Sequence, residues 1–362
     1  KNLLQPHMPY VPGESAIDSD LREGLDLVLA EIGYDARQRR RGRGVGIAIG
    51  LKDSGGVNKP AQAQVKTTTT GGVILNCGAV EIGQGIQTAL ARIAAEILDC
   101  APERVAYAPI NTDVTAFDQG TNASSAIVVM GKAVERAARD CVRQILDFAA
   151  GALKADAKDL RLHDWAIVKG NESHPLAPLI MRHFGGTGFE FVGRGYFKAD
   201  IDHHAPLETQ CVSWEIGWGA AEVEVDEETG RLTVNKLVVS GDAGKAIQKD
   251  VCRGQDEGAA VMALGQALFE HMSYDGPMLT NMSAAKYRVP LASDLPAEFV
   301  SITQEQGRGP GPFGAKGMGE AGILPVAAAI ANAVDDAIGV RITSLPITPE
   351  KIYAALEAKK KT

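Results

Sequence analysis

The stretch that decides the fold is residues 73–98, VILNCGAVEIGQGIQTALARIAAEIL. Its opening, Val73-Ile74-Leu75, is apolar and rich in β-branched side chains, which is typical of a buried strand. Glu81-Ile82-Gly83-Gln84-Gly85 then breaks the apolar pattern with two glycines, which predicts a tight turn. From Ile86 to Leu98 apolar side chains recur at helical spacing, which predicts a helix packed on one face. The stretch therefore reads as strand, glycine loop and helix.

The same order recurs later in the chain. Leu232–Val234 and Leu237–Val239 are predicted strands, residues 241–244 form a loop, and residues 255–272 form a predicted helix. We interpret the recurrence as a weak internal repeat, which predicts an α+β fold with two lobes of mixed sheet packed with helices. The expected divisions are a lead-in segment and helix at 1–39, a first lobe at 40–200, and a second lobe with a terminal helix at 201–362.

Two further polar loops precede predicted helices. Residues 118–125 come before the apolar-periodic stretch 126–150, and residues 314–322 come before 325–338. A helix amino terminus has unpaired N–H groups and a partial positive charge, and glycine lets a ligand approach the backbone. Four such junctions favour a site for a large anionic, polar ligand. Neutral groups that suit a heterocycle come from Gln84, Asn122, Ser124, Ser125 and Gln255.

Each of these signals also has a purely structural explanation. Gly83-Gln84-Gly85 is a common turn, and Ser124, Ser125 and Gln255 are equally interpreted as helix caps. Glu320, in the first turn of a predicted helix, also stabilises the helix dipole by about 0.3–1 kcal/mol without any catalytic role. The arrangement of the motifs along the whole chain decides between the two explanations.

Composition excludes several classes of protein. The 362 residues carry a net charge of −8, which argues against a broad nucleic-acid surface. The five cysteines form no C-x-x-C pattern, which fits reduced thiols in a cytoplasm and excludes an iron–sulfur or structural zinc site built from this chain alone. No apolar run reaches the ~18 residues of a membrane helix, the longest being 323–334. Residues 42–46 superficially match a dinucleotide loop, but they lead into a strand, so we reject that interpretation.

Seven segments of the chain stand in an order that one enzyme family shares. They are residues 81–85 (EIGQG), 120–125 (GTNASS), 222–226 (EVEVD) with 229–230 (TG), 255–258 (QDEG) with 264–265 (LG), 287–290 (YRVP), 316–320 (KGMGE) and 345–350 (LPITPE). Over most of its length the chain thereby closely resembles the molybdenum hydroxylases, the xanthine dehydrogenase and aldehyde oxidase family. The fold that the resemblance implies is the molybdopterin-binding domain of that family.

The resemblance also implies a cofactor and the residues that hold it. The cofactor is molybdopterin with molybdenum, and cytosine dinucleotide is the expected nucleotide form. Because the dithiolene sulfurs of the cofactor would hold the metal, no protein ligand to it is expected. Glu320 matches the family's active-site glutamate, a base that seclusion from water would strengthen. The expected cofactor-binding residues are Gly83, Gln84, Gly85, Thr121, Asn122, Ala123, Ser124, Ser125, Gln255, Lys316, Gly317, Met318 and Gly319.

A reaction and a cellular setting follow from the same resemblance. The enzyme would hydroxylate an electron-poor carbon of a small heterocycle or aldehyde with oxygen derived from water, in the cytoplasm. Electrons would leave through iron–sulfur clusters and FAD on partner subunits. The alternative is a non-catalytic molybdopterin-carrying or scaffold protein of the same fold. Glu320 favours catalysis, because a carrier needs no base at that position.

The chain resembles only the second half of a family large subunit. It is either a separate medium subunit, as in nicotinate-dehydrogenase-like enzymes, or a fragment, and it begins at Lys1 rather than at a methionine. Alone it would form half of a cofactor site, so we expect a first-half molybdopterin subunit as a partner, besides the iron–sulfur and flavin subunits. His203-His204 has no third metal ligand at a useful spacing and is expected at the surface.

Overall fold

The structure, a computed structural model, describes residues 2–37, 40–55, 58–199, 211–283, 286–307 and 309–361. The expected boundary at 200/201 and the pair His203-His204 lie outside these residues. The helices are α1 (Leu21–Ile32), α2 (Ile86–Leu98), α3 (Ala126–Leu153), α4 (Leu176–His183), α5 (Lys249–Leu268), α6 (Val326–Ile338) and α7 (Pro349–Lys359). The strands are β1 (Arg43–Asp53), β2 (Ala61–Thr67), β3 (Val73–Cys77), β4 (Val105–Tyr107), β5 (Leu160–His163), β6 (Ala166–Lys169), β7 (Glu172–Pro175), β8 (Phe191–Phe197), β9 (Trp214–Val225), β10 (Leu232–Asp242), β11 (Tyr274–Asp275), β12 (Met278–Leu279) and β13 (Glu298–Gln304).

The chain divides into two compact units, neither of which is continuous in sequence. Unit 1 comprises Lys1–Asp53, Trp214–Arg308 and Met318–Thr362, and unit 2 comprises Ser54–Ser213 and Gly309–Gly317. The lobes expected from the sequence are continuous, and they place β1 in the first lobe. In the structure β1 pairs along its whole length with β9, so it belongs to the same sheet as the later strands. Local sequence patterns do not report pairing across such a distance.

Unit 2 is built on a four-stranded sheet in the order β8-β2-β3-β4. The strand β2 is antiparallel to both β8 and β3, whereas β3 and β4 are parallel and are connected through α2. The long helix α3 packs across β8 and β2 and against α2. A separate antiparallel sheet, β5-β6-β7, follows α3 in the chain. The predicted sequence of strand, glycine loop and helix is thus a crossover between two parallel strands.

Unit 1 has a sheet of the same topology, in the order β1-β9-β10-β13. The strand β9 is antiparallel to β1 and β10, and β10 is parallel to β13, with α5 as the connection. The helix α6 packs across β1 and β9, as α3 packs across β8 and β2. The units differ in chain order, because β1 precedes the rest of its sheet while β8 follows. The predicted internal repeat is confirmed, as a circularly permuted pair of sheets.

Paired glycines bring the outer strand of each sheet against its helix. A Cβ on Gly44 or Gly46 of β1 would lie 2.1 Å from a backbone oxygen of α6. A Cβ on Gly193 or Gly195 of β8 would lie 2.1 or 1.9 Å from a backbone oxygen of α3. Any side chain would therefore collide with the helix backbone, and only glycine allows the approach. The glycines of residues 42–46 serve packing in a strand, which confirms that they form no dinucleotide loop.

Most predicted elements lie where the apolar spacing places them. The helix α2 has the predicted bounds, but α5 begins at Lys249, six residues before its predicted start. The predicted strands 232–234 and 237–239 form one continuous strand, β10. Its register with β9 shifts between Val234 and Lys236, and this bulge interrupts the alternation that a sequence pattern reports.

The segment Ala321–Ile338 is long and apolar enough to cross a membrane, which corrects the expectation that no run reaches that length. The helix α6, which makes up most of the segment, packs inside unit 1 against β1 and β9. Its residues Val326, Ala329, Ile330 and Ala333 are fully buried in the core of that unit. Its apolar character is therefore explained by its place in the core.

Candidate functional site

A loop of unit 2, residues 78–85, follows β3 and is held together by one carboxylate. The side chain of Glu81 accepts the backbone N–H groups of Gly83 (3.0 Å) and Gly85 (2.8 Å). Gly83 has φ +99° and Gly85 has φ +73°, in the region that favours glycine. The tight turn predicted from the two glycines is confirmed, and Glu81 is the residue that closes it.

The side-chain amide of Gln84 connects this loop to the next one. Its Oε1 accepts the N–H of Ile82 (2.7 Å), and its Nε2 donates to the carbonyl oxygen of Val80 (3.0 Å) and to Oγ1 of Thr121 (3.4 Å). Gln84 and Thr121, predicted from two separate motifs, are therefore in contact within unit 2.

Lys59, which the sequence analysis missed, supports the 121–125 loop. It is buried, and its ammonium group lies 3.2 Å from the carbonyl oxygen of Asn122 and 2.9 Å from the hydroxyl of Ser125. It also contacts the side-chain oxygen of Asn122. The Ser125 hydroxyl in turn donates to the Asn122 carbonyl oxygen (2.9 Å). A single lysine between Asn58 and Pro60 forms no motif, so the sequence offered no signal for this role.

Two residues of the same loop adopt a strained backbone conformation. Ala123 has φ +50° and Ser124 has φ +58°, which costs about 1–3 kcal/mol for each non-glycine residue. Glycines pack against both of them. A Cβ on Gly317 would lie 1.9 Å from the carbonyl oxygen of Ser124, and a Cβ on Gly55 would lie 2.6 Å from the Cβ of Ala123. Gly317 of the KGMGE motif thus contacts the 121–125 loop inside unit 2.

The amino end of α3 has no side-chain cap among the described residues. The helices α2, α4, α5 and α6 are likewise uncapped there, whereas Asp20 caps α1 and Thr348 caps α7. Ser125 stands at the cap position, but its hydroxyl is bonded within the loop. Gly120 and Gly83 have no heavy atom within 4 Å of a Cβ position, so the backbone at both is accessible. Uncapped N–H groups suit a phosphate, and the neighbouring amides and hydroxyls suit a heterocycle. The residues of unit 2 therefore fit a pterin that carries a phosphate.

The predicted cofactor-binding residues divide between the two units, and several are buried. Lys316 and Met318 are both buried, and Met318 packs with Ala243 and Ala321, which supports a packing role for it. Unit 2 holds Gly83, Gln84, Gly85, Thr121, Asn122, Ala123, Ser124, Ser125, Lys316 and Gly317, and unit 1 holds Gln255, Met318 and Gly319.

Gln255 lies inside α5 rather than at its start. The helix begins at Lys249, so the interpretation of Gln255 as a helix cap is wrong. Its side chain is half-buried. The residue after it, Asp256, is in close contact with Gly322, because a Cβ on Gly322 would lie 2.3 Å from the carbonyl oxygen of Asp256. In this way α5 packs against the short 3-10 helix Ala321–Ile323 that follows Glu320.

Glu320 itself is held by two charged residues of the unit 1 sheet. Its backbone N–H donates to Oε1 of Glu215 (2.6 Å), and its Oε2 lies 2.9 Å from the ammonium group of Lys52. The same ammonium lies 3.0 Å from Oε2 of Glu215. The Glu320 side chain is 47% exposed, which differs from the expected seclusion from water. An ion pair, and not burial, dominates the surroundings of this carboxylate.

Asp256 is a second carboxyl of unit 1 that the sequence analysis missed. It is fully buried on α5, where the backbone N–H groups of Gly322 and Gly241 are its polar neighbours. Burial, and after it the negative charge of Glu215, raise the pKa of Asp256 to about 8. At pH 7 this carboxyl is therefore mainly protonated and neutral. An aspartate among the apolar positions of a buried helix is a signal that could have been noticed.

Protein ligands for a metal are not grouped in the part of the chain that the structure describes. No three or more His, Cys, Asp or Glu side chains there are arranged to hold a metal ion. Burial raises the pKa of Cys141 and of Cys252 to about 11, which keeps both thiols protonated at neutral pH. A metal carried by the sulfurs of a cofactor needs no such group.

Sequence comparisons connect these features to known proteins. Residues 27–296 match a family model described as the molybdopterin cofactor-binding domain. The chain is 33% identical to the 6-hydroxypseudooxynicotine dehydrogenase complex subunit gamma of Paenarthrobacter nicotinovorans, over 98% of this chain and 45% of that protein. It is 32% identical to the xanthine dehydrogenase molybdenum-binding subunit of Escherichia coli O157:H7, over 86% of this chain and 42% of that protein. The chain thus spans less than half the length of these relatives.

Solved structures show the same fold. The quinoline 2-oxidoreductase of Pseudomonas putida 86 superposes with a TM-score of 0.84 at 23% identity, over 97% of this chain and 47% of that one. A Cu,Mo-CO dehydrogenase superposes with a TM-score of 0.82 at 21% identity, over 98% of this chain and 48% of that one. At this identity the likeness shows the fold alone. With the family model matched from residue 27 to residue 296, the chain belongs to the molybdopterin cofactor-binding domain family of the molybdenum hydroxylases.

Proposed function

We propose that this chain is the second-half molybdopterin-binding part of a molybdenum hydroxylase, active together with partner chains. The observation that carries the proposal is the uncapped amino end of α3 beside the 121–125 loop, inside the region that matches the cofactor-binding family. The relatives are more than twice as long as the segment they share with this chain. The difference in length supports a first-half part that supplies the remaining cofactor contacts, on a partner chain or on the rest of a longer protein.

Unit 2 residues would hold the cofactor by hydrogen bonds rather than by ion pairs. The N–H groups at the start of α3 would bind a phosphate, and Lys59 would keep the 121–125 loop in place. Accessible backbone at Gly83 and Gly120 would let the pterin lie close to the chain. We propose the cytosine dinucleotide form of the cofactor, as the family resemblance implies.

Glu320 is proposed as the catalytic base. When bound, the molybdenum cofactor supplies the oxidation of an electron-poor carbon by two electrons, with oxygen taken from water. The carboxylate of Glu320 would accept the proton that the attacking water-derived oxygen must lose. The ion pair with Lys52 favours the ionised carboxylate, which is the form that can accept a proton.

Small nitrogen heterocycles and aldehydes are the proposed substrates. The names of the relatives refer to a nicotine derivative and to xanthine, both of which contain nitrogen rings. Electrons would pass to iron–sulfur and FAD-containing partner subunits, and the complex would work in the cytoplasm. A carrier without catalytic activity would not need the base at position 320 or the two charged residues that hold it.

The experiment that tests this proposal is purification of the chain, tagged at its carboxyl terminus, from its native host. We expect a complex that contains a first-half chain, one molybdenum and one pterin per tagged chain, together with iron and flavin. Molybdenum without iron or flavin would indicate the carrier. A folded chain without molybdenum and pterin in any complex would refute the proposal.

A further inference from the structure

Three charged side chains of unit 1 form a connected group around Glu320. Lys52 near the end of β1 and Glu215 near the start of β9 are directly opposite partners in the antiparallel register. The ammonium group of Lys52 lies 3.0 Å from Glu215 and 2.9 Å from Glu320. Cross-strand partners of opposite charge attract each other. Here Lys52 also attracts Glu320, which is distant in sequence from both strands.

The ammonium group of Lys52 has no capacity left for a ligand. Besides the two carboxylates, it donates to the backbone carbonyl oxygen of Asp53 (2.6 Å). An ammonium has three protons, and these contacts are three in number. Burial lowers the pKa of Lys52, but the charges of Glu215 and Glu320 outweigh it and raise the pKa, so the cation persists at neutral pH. Lys52 is therefore suited to hold other side chains rather than to bind substrate.

Glu215 holds the backbone of Glu320 in position through a hydrogen bond. The Glu215 side chain is fully buried, and one of its oxygens accepts the Glu320 N–H at 2.6 Å while the other faces Lys52. Burying a carboxylate is costly unless it is paired and hydrogen-bonded. The hydrogen bond from the Glu320 N–H to Glu215 holds the backbone at the start of the 3-10 helix Ala321–Ile323, where Glu320 is the N-cap residue.

We propose that Lys52 and Glu215 are positioning residues that hold Glu320 at two points, Glu215 at its backbone and Lys52 at its carboxylate. This inference rests on the proposed role of Glu320, but the contacts are those of the chain itself. Lys52 favours the ionised carboxylate, and the two contacts together restrict its orientation. The family resemblance aligns Lys52 only loosely, with a substrate-facing loop, and it places Glu215 in no motif; no comparison assigns a role to either residue.

The test is a titration of the Glu320 carboxyl carbon by NMR in the full-length chain labelled with 13C at glutamate Cδ. Glu320→Gln assigns the resonance. In Lys52→Met we expect the titration midpoint of Glu320 to move to higher pH by about one pH unit or more, because an opposite charge within contact distance is lost. Lys52→Arg restores the midpoint. An unchanged midpoint in Lys52→Met would overturn the role of Lys52.

Lys236 of β10 provides the matched control, because it also bridges two carboxylates, those of Glu31 in α1 and Glu298 in β13. Lys236→Met should leave the Glu320 midpoint in place. If Lys52→Met does not fold, because Glu215 is left buried and unpaired, the double variant Lys52→Met/Glu215→Gln removes both charges. The double variant is compared with Glu215→Gln alone, so that only the charge of Lys52 differs. Its Glu320 midpoint should lie above that of Glu215→Gln, and equal midpoints would overturn the inference.

Amide hydrogen exchange tests the role of Glu215. In Glu215→Ala the Glu320 amide should exchange at least about tenfold faster, since its acceptor is gone, whereas Glu215→Gln keeps an acceptor oxygen and restores protection. Equal exchange rates in Glu215→Ala and the unaltered chain would refute the backbone contact. Both measurements use the chain without metal, so their failure is distinct from failure of the proposed function, which molybdenum analysis reports.

Discussion

The carbonyl oxygen of Ser124 occupies the space where a side chain at Gly317 would begin, because a Cβ at position 317 would come within 1.9 Å of that oxygen. The contact joins two motifs that are separated by almost two hundred residues and that both belong to unit 2. It also supports the strained conformation of Ser124. The loop proposed to bind the cofactor is therefore shaped by packing before any cofactor binds.

Gly317→Ala should destabilise unit 2 and distort the 121–125 loop. The added methyl group forces the backbone of Ser124 to move, which costs about 1–3 kcal/mol in a well-packed region. Urea denaturation measures the loss, and the pterin content of the purified complex should fall with it. The control is Gly151→Ala in α3, where a Cβ meets no heavy atom within 4 Å; there we expect a gain of about 0.5–1 kcal/mol. Equal effects of the two variants would contradict the packing role.

Lys59→Met should weaken the same loop from its other side. Methionine keeps the volume of lysine but leaves oxygens of Asn122 and Ser125 without their donor, which costs about 1–3 kcal/mol. The midpoint of urea denaturation and the pterin content should both fall. The control is Lys66→Met on β2, which removes an exposed ion pair with Glu190. It should change the free energy of unfolding by less than about 1 kcal/mol.

The pKa of Asp256 makes a specific prediction about stability and pH. Its carboxyl has a pKa of about 8 in the folded chain and about 4 when unfolded, so the folded state binds an extra proton between these values. Stability from this group is therefore lost as pH rises from 4 to 8, by up to about 1.4 kcal/mol per pH unit. Asp256→Asn should remove this pH dependence. The free energy of unfolding of the variant should therefore increase relative to that of the unaltered chain as pH rises.

Urea denaturation at pH 5, 7 and 9 measures this difference. Asp250→Asn, at an exposed position in the first turn of the same helix, is the control and should show no such trend. A stability difference between Asp256→Asn and the unaltered chain that is the same at all three pH values would contradict the raised pKa.

Local patterns in the sequence were enough for the helices and for the repeat. The apolar spacing of α2 placed its ends correctly, because the helix buries one continuous face. The order of strand, loop and helix around β3 and β10 indicated two equivalent halves. The assignment of β1 failed, since its partner β9 is some 170 residues away and the glycines that pack it on α6 have no side chains to form a pattern.

Sequence motifs could not predict the charged residues that hold the candidate site in place. Lys52 is one of three charged residues in β1 and Glu215 is one of three in β9, and their pairing depends on the register of the two strands. Lys59 depends on a loop that is distant in sequence. A motif contains residues that a ligand needs at a fixed spacing in the sequence. The residues that hold a motif in place have no fixed spacing from it, because the fold brings them together from distant parts of the chain.

The measurement that tests the central claim most directly is turnover of the purified complex carrying Glu320→Gln, at equal molybdenum content. A panel of nitrogen heterocycles and aldehydes, with a dye as electron acceptor, identifies the substrate in the unaltered complex. Loss of the base should lower kcat by about 10²–10⁴, with molybdenum and pterin unchanged. Glu224→Gln, the same change at an exposed ion pair with Arg43, should leave kcat unaltered. Full turnover in Glu320→Gln with a full complement of molybdenum would contradict the account.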